Sequence, residues 1–185
     1  MRVVAGVARG RPLRAPAGSA TRPTSDRVRE ALFSMLTSLR GLEGAGVADL
    51  FAGSGALGVE ALSRGAATAL FVDRAPAAVA AVRANLAVVD DAPGLATVLR
   101  REVLAWAVAE GAAAAPRRFD VVLADPPYAW RDWPRLLGAL RPLTGLVVAE
   151  TGSPWEAVPG WETVRTRNYG TTVVTILETT EGGGW

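Results

Sequence analysis

Residues 124 to 130 read Ala-Asp-Pro-Pro-Tyr-Ala-Trp and follow the apolar run Val121-Val122-Leu123. Two consecutive prolines donate no backbone hydrogen bond and fix φ near about −65°, so this stretch cannot be the middle of a strand or a helix. It is a stiff corner at the end of a buried strand, presenting the carboxylate of Asp125 and the ring of Tyr128. Methylation of an exocyclic amino group on a nucleobase needs such a corner. The lone pair of that nitrogen is delocalised into the base, which makes it a poor nucleophile. Asp125 and the rigid Pro126 carbonyl, each accepting one of its N–H bonds, would aim the amine at a methyl donor and stabilise the charge that develops. Tyr128 offers a stacking face for a base drawn away from its neighbours. Asp125, Pro126, Pro127 and Tyr128 are the candidate catalytic set; the plain alternative is an ordinary rigid turn.

A second constellation lies at residues 49 to 58, Asp-Leu-Phe-Ala-Gly-Ser-Gly-Ala-Leu-Gly, where Gly53, Gly55 and Gly58 give G-x-G-x-x-G between a strand and a helix. Such glycines allow a tight turn and let a ligand approach backbone, although a turn packed glycine on glycine has the same signature. Asp73 ends the next apolar strand, 18 residues after Gly55. That spacing suits an acid accepting from a ribose diol, though Asp73 would also serve as a helix cap. An adenosine-containing ligand follows, either a nicotinamide dinucleotide or S-adenosyl-L-methionine. Asp49 favours the second. A carboxylate inside an apolar strand is costly unless it fixes the loop glycines or meets a cation, and S-adenosylmethionine carries an ammonium and a sulfonium. The candidate cofactor contacts are Asp49, Phe51, Ala52, Gly53, Ser54, Gly55, Asp73, Arg74, Glu102, Val103 and Asp125. Glu102 could accept from the adenine amino group, and a helix-start acid is equally consistent with its position.

The 185 residues contain no cysteine and no histidine. Disulfides, thiolate nucleophiles, imidazole bases and the usual zinc ligands are excluded together. Half the residues are apolar, enough for one domain with an extension to bury a core unaided. The start, Met-Arg-Val-Val-Ala-Gly-Val-Ala-Arg-Gly, lacks the apolar region of a signal peptide. No run reaches the roughly 18 apolar residues of a membrane span, so a cytoplasmic location is expected.

The elements that must position these groups read as short apolar strands alternating with helical segments: strands at Val47–Phe51, Ala69–Val72, Thr97–Leu99, Val121–Ala124 and Leu146–Ala149, helices near 56–64, 76–88, 102–110 and 132–140. That rhythm predicts a parallel sheet covered on both faces. Trp161–Arg167 and Thr171–Glu178, joined by Asn168-Tyr169-Gly170, are too closely connected for a parallel pair and predict an antiparallel hairpin. Ahead of the sheet, 2–6 and 11–15 read as two short strands around a glycine turn. A helix follows from Ser25, with Val28, Leu32, Met35, Leu36 and Leu39 on one face, Thr24 or Ser25 as its cap and Gly41 as its end. The division is 1–43 as a basic hairpin-and-helix extension, 44–180 as the catalytic domain and 181–185 as a frayed tail.

Charge is unevenly spread along the chain. Residues 1–30 hold seven arginines (2, 9, 11, 14, 22, 27, 29) against Asp26 and Glu30, a balance of +5, while the whole chain carries +2. A basic arm on a near-neutral body suggests a polyanionic partner.

The Gly-rich segment, Phe71-Val72-Asp73-Arg74 and Ala124-Asp125-Pro126-Pro127-Tyr128, in that order, resemble the motifs of class I S-adenosylmethionine-dependent methyltransferases acting on amino groups. With residues 22–33 (RPTSDRVREALF) and Asn168-Tyr169-Gly170-Thr171-Thr172, the chain resembles over nearly its whole length the bacterial small-subunit (16S) ribosomal RNA guanine-N2 methyltransferases of the RsmD family. The resemblance implies a Rossmann-like α/β fold, a mostly parallel seven-stranded sheet with a C-terminal antiparallel hairpin and an N-terminal β-hairpin and helix. It implies S-adenosyl-L-methionine as cofactor, guanine N2 as the methylated atom and residues 125–128 as the catalytic tetrad. It further implies that the arm engages ribosomal RNA within a partly assembled 30S particle. Arg9, Arg11, Arg22, Thr24 and Arg27 are the RNA candidates, with the alternative that Arg27 and Arg29 salt-bridge Asp26 or Glu30 on the helix. A monomer without metal or membrane attachment is expected. Glu102 stands where such enzymes often carry Asp or Asn. The competing readings are a DNA adenine-N6 methyltransferase, a silent RNA-binding module and, last, a dinucleotide oxidoreductase.

Overall fold

The computed structural model describes residues 1–18, 25–90, 92–153 and 157–180. Its elements in chain order are α1 (Asp26–Leu39), β1 (Gly46–Leu50), α2 (Ala56–Ser63), β2 (Thr68–Asp73), α3 (Pro76–Leu86), α4 (Ala92–Leu95), β3 (Ala96–Arg100), α5 (Val103–Gly111), β4 (Val121–Ala124), α6 (Trp133–Leu140), β5 (Leu146–Thr151), β6 (Trp161–Tyr169) and β7 (Thr172–Thr179). The strands form one seven-stranded sheet in the order β3-β2-β1-β4-β5-β7-β6. The pairs β1–β2, β2–β3, β1–β4 and β4–β5 are parallel, while β7 runs antiparallel to both β5 and β6. This is the Rossmann-like sheet and terminal hairpin that the strand pattern predicts.

Burial explains why those runs become central strands. Val47, Leu50, Val121, Val122, Leu123 and Val147 are wholly inaccessible, and one apolar cluster covers each face of the sheet. Residues of α1, α2 and α3 pack into the first cluster, those of α5 and α6 into the second. From β1 the chain moves outward through β2 to β3, then crosses back to place β4 on the other side of β1. That reversal opens a crevice beyond the carboxyl ends of β1 and β4, the general place for ligands in open α/β sheets.

The N-terminal segment forms the expected hairpin in a short version: Arg2 and Pro12 bridge antiparallel, flanked by the Val3 N–H to the Arg11 carbonyl at 2.9 Å and the Leu13 N–H to the Met1 carbonyl at 3.0 Å. It stays short because the next donors along the chain are claimed by α2. Glu60 accepts the Val4 N–H at 2.7 Å and the Ala5 N–H at 2.9 Å, Ser63 Oγ accepts the Ala8 N–H at 3.0 Å, and the Val7 N–H reaches the Ser63 carbonyl at 2.8 Å. The turn lies so close to α2 that a Cβ on Gly6 would stand 1.7 Å from the Ser63 oxygen. Val3, Ala8 and Leu13 consequently join the same cluster as the sheet.

Helix α1 is capped by Ser25, whose Oγ accepts the Val28 N–H at 3.2 Å, a contact worth about 1 kcal/mol. It ends at Leu39 with Arg40 extended, ahead of Gly41, and Leu39 is exposed rather than on the buried face. Arg29 takes part in that face instead, beside Phe33. Thr24, the other candidate cap, lies outside the described residues, as does the tail 181–185. Among the described residues no helix is long and apolar enough to cross a membrane.

Candidate active site

The loop leaving β1 owes its course to conformations that favour glycine. Gly53 has φ 55° and Gly55 φ 75°, and Phe51 shares the left-handed region at φ 58°. The loop is tied down by Ala52 N–H to the Val72 carbonyl at 3.2 Å and Gly55 N–H to the Ala52 carbonyl at 2.6 Å. Gly58 answers a different demand: a Cβ there would lie 2.3 Å from Cε1 of the buried Phe71, so the third glycine lets α2 close on the sheet. Ser54 is held from behind, its carbonyl accepting from Asn85 Nδ2 at 2.8 Å.

The acids expected at this corner are brought together. Asp73 Oδ2 accepts the Gly53 N–H at 2.9 Å and Oδ1 accepts the Ala75 N–H at 2.8 Å, which combines loop bracing with the entry to α3. Asp49 is sealed inside β1, and its Oδ2 accepts the Gly58 N–H at 2.8 Å. Of the roles weighed for Asp49, fixing the loop glycines is visible directly. Burial pushes its carboxyl well above the usual carboxylate range; the Gly58 N–H opposes the shift, and the charges of Asp125 and Asp73 add to it. Carboxylates on β1, on β2 and after β4 therefore feel one another across the crevice, an arrangement that suits a cationic ligand and repels a pyrophosphate.

Asp125 follows β4 and its N–H donates to the Leu50 carbonyl at 3.4 Å, so the Asp-Pro-Pro-Tyr corner and the Gly-rich loop leave the sheet side by side. Pro126 is buried, and the Pro127 carbonyl closes a turn by accepting the Trp130 N–H at 2.8 Å. Tyr128 is half exposed, and its hydroxyl lies 2.9 Å from Thr172 Oγ1. The Phe51 and Trp130 rings meet edge-on with centroids 5.1 Å apart, joining the two loops.

Other candidates fall less centrally. Glu102 caps α5, accepting from Leu104 N–H at 3.1 Å and Ala105 N–H at 2.7 Å, which is the helix-start role. Val103 is buried in the first turn of that helix, and Arg74 is exposed beside Asp73. Arg9, Arg11 and Arg27 are exposed. Arg9 lies in the turn beside Ser63, at the end of α2 remote from Gly53 and Gly55, while Arg27 sits in the first turn of α1. Arg22 and Thr24 lie outside the described residues. Thr172, Glu150 and Trp130 were not expected at the site; the Asn-Tyr-Gly-Thr-Thr turn was the available signal for Thr172. Among the described residues no cluster of acids fit to hold a metal ion occurs.

The family model described as "Conserved hypothetical protein 95" matches residues 1–178. YlbH of Bacillus subtilis, named as a candidate rRNA methyltransferase, is 37% identical over 186 residues, covering 96% of this chain and 98% of that protein. Ribosomal RNA small subunit methyltransferase D of Escherichia coli is 38% identical over 128 residues, covering 69% of this chain and 60% of that one. The solved structure of yhhF from Escherichia coli superposes with a TM-score of 0.81 at 30% identity, over 97% of each chain. Shared sequence, from the N-terminal arm to the terminal hairpin, and shared architecture agree: the chain belongs to the Conserved hypothetical protein 95 family, the RsmD family of methyltransferases.

Proposed function

We propose that this protein transfers a methyl group from S-adenosyl-L-methionine to the exocyclic N2 of a guanine in small-subunit (16S) ribosomal RNA. The observation that carries the reading is the pairing of two loops at one sheet reversal. The Gly-rich turn with Asp73 stands on β1 and β2, and Asp125-Pro126-Pro127-Tyr128 leaves β4 against it, tied by the Asp125-to-Leu50 hydrogen bond. The names borne by YlbH and methyltransferase D support ribosomal RNA as the substrate class.

The cofactor is S-adenosylmethionine, which supplies a methyl group on a positively charged sulfur. Asp73 accepts from the ribose diol with the lone pairs its two backbone donors leave over. Asp49 and Asp125 supply negative potential for the cationic end, and Gly53, Ser54 and Gly55 let backbone approach it, with Phe51 and Ala52 at the loop's entry. Arg74, Glu102 and Val103 border the adenine side. Asp125 and the Pro126 carbonyl accept the N–H bonds of the target amine and hold its lone pair toward the sulfur. Tyr128 stacks on the extruded base. The product nitrogen is acidic enough to lose its proton to water, so a chain without histidine needs no strong base.

Residues 1–43 serve as the RNA-engaging extension of a catalytic domain spanning 44–180, with phosphate contacts from Arg9, Arg11, Arg22 and Arg27 and a hydroxyl contact from Thr24. The working form is a cytoplasmic monomer acting on a partly assembled 30S particle. The test is methyl transfer to small-subunit RNA and to particles from cells lacking the protein, with mass spectrometry of the nucleosides. N2-methylguanosine is expected, and Asp125→Ala should lower the rate by about 100-fold or more while cofactor still binds. N6-methyladenine appearing in duplex DNA instead, or a wild-type rate in Asp125→Ala, would overturn the reading.

A further inference from the structure

Tyr128 would be a poor stacking platform if its ring were free to swing, since half its surface faces solvent. Two neighbours from the far side of the crevice restrain it. On β7, Thr172 Oγ1 lies 2.9 Å from the tyrosine hydroxyl, and the same Thr172 oxygen lies 3.5 Å from Glu150 Oε1 on β5. After β5, Gly152 lies against the ring: a Cβ built on it would stand 3.4 Å from Tyr128 Cγ and 3.6 Å from Cδ1. The ring is thus pinned at its hydroxyl and backed at its base. Thr172 and Glu150 are both buried, so the pin is set inside the sheet.

The chemistry of the three groups gives the chain a direction. An ionised carboxylate only accepts, and the Thr172 hydroxyl has one proton to give. Where that proton turns to Glu150, 3.5 Å away, the Thr172 oxygen is left to accept from the Tyr128 hydroxyl. The Asn168-to-Thr172 turn, conspicuous in the sequence and unused by the chemistry, is what delivers Thr172 to this place.

We propose that Thr172, backed by Glu150, is a positioning residue that locks the Tyr128 ring as a preset stacking face for the target base. The inference rests on the reading of Tyr128 as the base-stacking residue. It assigns the C-terminal hairpin a part in substrate selection: a base is received by a ring already in place, with less ordering left to do on binding.

The test uses Thr172→Val, which keeps the shape and removes the hydroxyl, with Thr172→Ser as its conservative counterpart and Tyr128→Phe as the other end of the bond. Expected for Thr172→Val is a rise in KM for RNA of about five-fold, the worth of one hydrogen bond, with little change in the dissociation constant of the cofactor. Thr172→Ser should restore the KM, and Tyr128→Phe combined with Thr172→Val should be no worse than either alone. Additive losses, or equal losses in RNA and cofactor binding that Ser fails to rescue, would overturn the proposal. A second readout separates it from the substrate assignment. The chain has two tyrosines, so carbon-13 labelling resolves Tyr128. Its side chain should sample more than one χ1 rotamer in Thr172→Val without any RNA present, as read from three-bond couplings, and a single unchanged rotamer would overturn the lock. If the wild type methylates no RNA while the rotamer populations respond as expected, the lock stands and the substrate reading fails.

Discussion

Arg29 Nε lies 3.5 Å from Glu60 Oε2, and both side chains are completely sealed from solvent. Around this pair Glu60 also holds Arg64 at 2.8 Å and the backbone of Val4 and Ala5, while Arg29 reaches Asp26 at 3.0 Å and the Arg2 carbonyl. Because Glu60 belongs to the helix that starts at the Gly-rich loop, the network joins the N-terminal arm and α1 to the cofactor corner.

Glu60→Gln leaves the buried Arg29 guanidinium with a neutral group on its Glu60 side and only the partly exposed Asp26 as its ion-pair partner. Removing one member of a buried pair costs about 3 kcal/mol or more. Urea unfolding should show that loss. A change below about 1 kcal/mol would mean the pair counts for no more than an exposed one.

Gly58→Ala forces a methyl toward the Phe71 ring, with 2.3 Å to Cε1 and 2.6 Å to Cζ. Overpacking of this kind costs about 1–3 kcal/mol, and the strain falls on the first turn of α2, where the Gly58 N–H meets Asp49. Thermal unfolding and cofactor titration should both worsen, and trimming the ring with Phe71→Leu in the same chain should recover part of each.

On the proposed reading, Asp49 should make cofactor binding sensitive to acid. Its carboxyl titrates well above the usual carboxylate range because burial disfavours the charge. The folded state thus prefers the protonated form. Its contribution to stability is full below the unfolded pKa and is lost as pH rises through the folded pKa. A cationic ligand prefers the carboxylate, so affinity for S-adenosylmethionine should fall as pH drops through the raised pKa, with a proton released on binding. Calorimetry in buffers of different ionisation enthalpy reads that proton. Asp49→Asn should abolish the pH dependence; an unaltered pH profile in that variant would assign the effect to another group.

RNA affinity should fall steeply with salt if the arm arginines meet phosphates. Replacing Arg11 or Arg27 by Ala should lower the slope of log affinity against log salt by about 1 each, with cofactor binding untouched. A slope that stays the same in both variants would remove these side chains from the RNA path.

The sheet was legible because buried parallel strands must be apolar throughout, and Val121–Ala124 or Leu146–Ala149 offer no other use. Gly53 and Gly55 were legible as turn formers. That Gly58 answers to Phe71 was not, since the clash depends on a ring delivered by a different strand. The arm was legible as a hairpin from its alternation in 2–6 and 11–15, but how it docks was not, because the acceptors of the Val4, Ala5 and Ala8 N–H groups are Glu60 and Ser63, more than fifty residues away. The pairing of Arg29 with Asp26 was legible from their spacing on the helix, but its complete burial was not, because Glu60 is remote in sequence. Glu102 was ambiguous between adenine contact and helix cap, and local geometry accounts for its side chain as a cap.

The edge-on contacts of Phe51 with Trp130 and of Trp130 with Trp133, each at 5.1 Å, span from the Gly-rich loop to the segment that follows Asp125. Indole emission responds to its immediate surroundings, so a ligand entering the crevice under the proposed function should alter the protein's own ultraviolet fluorescence. Occupation would then be readable without label or coupled enzyme.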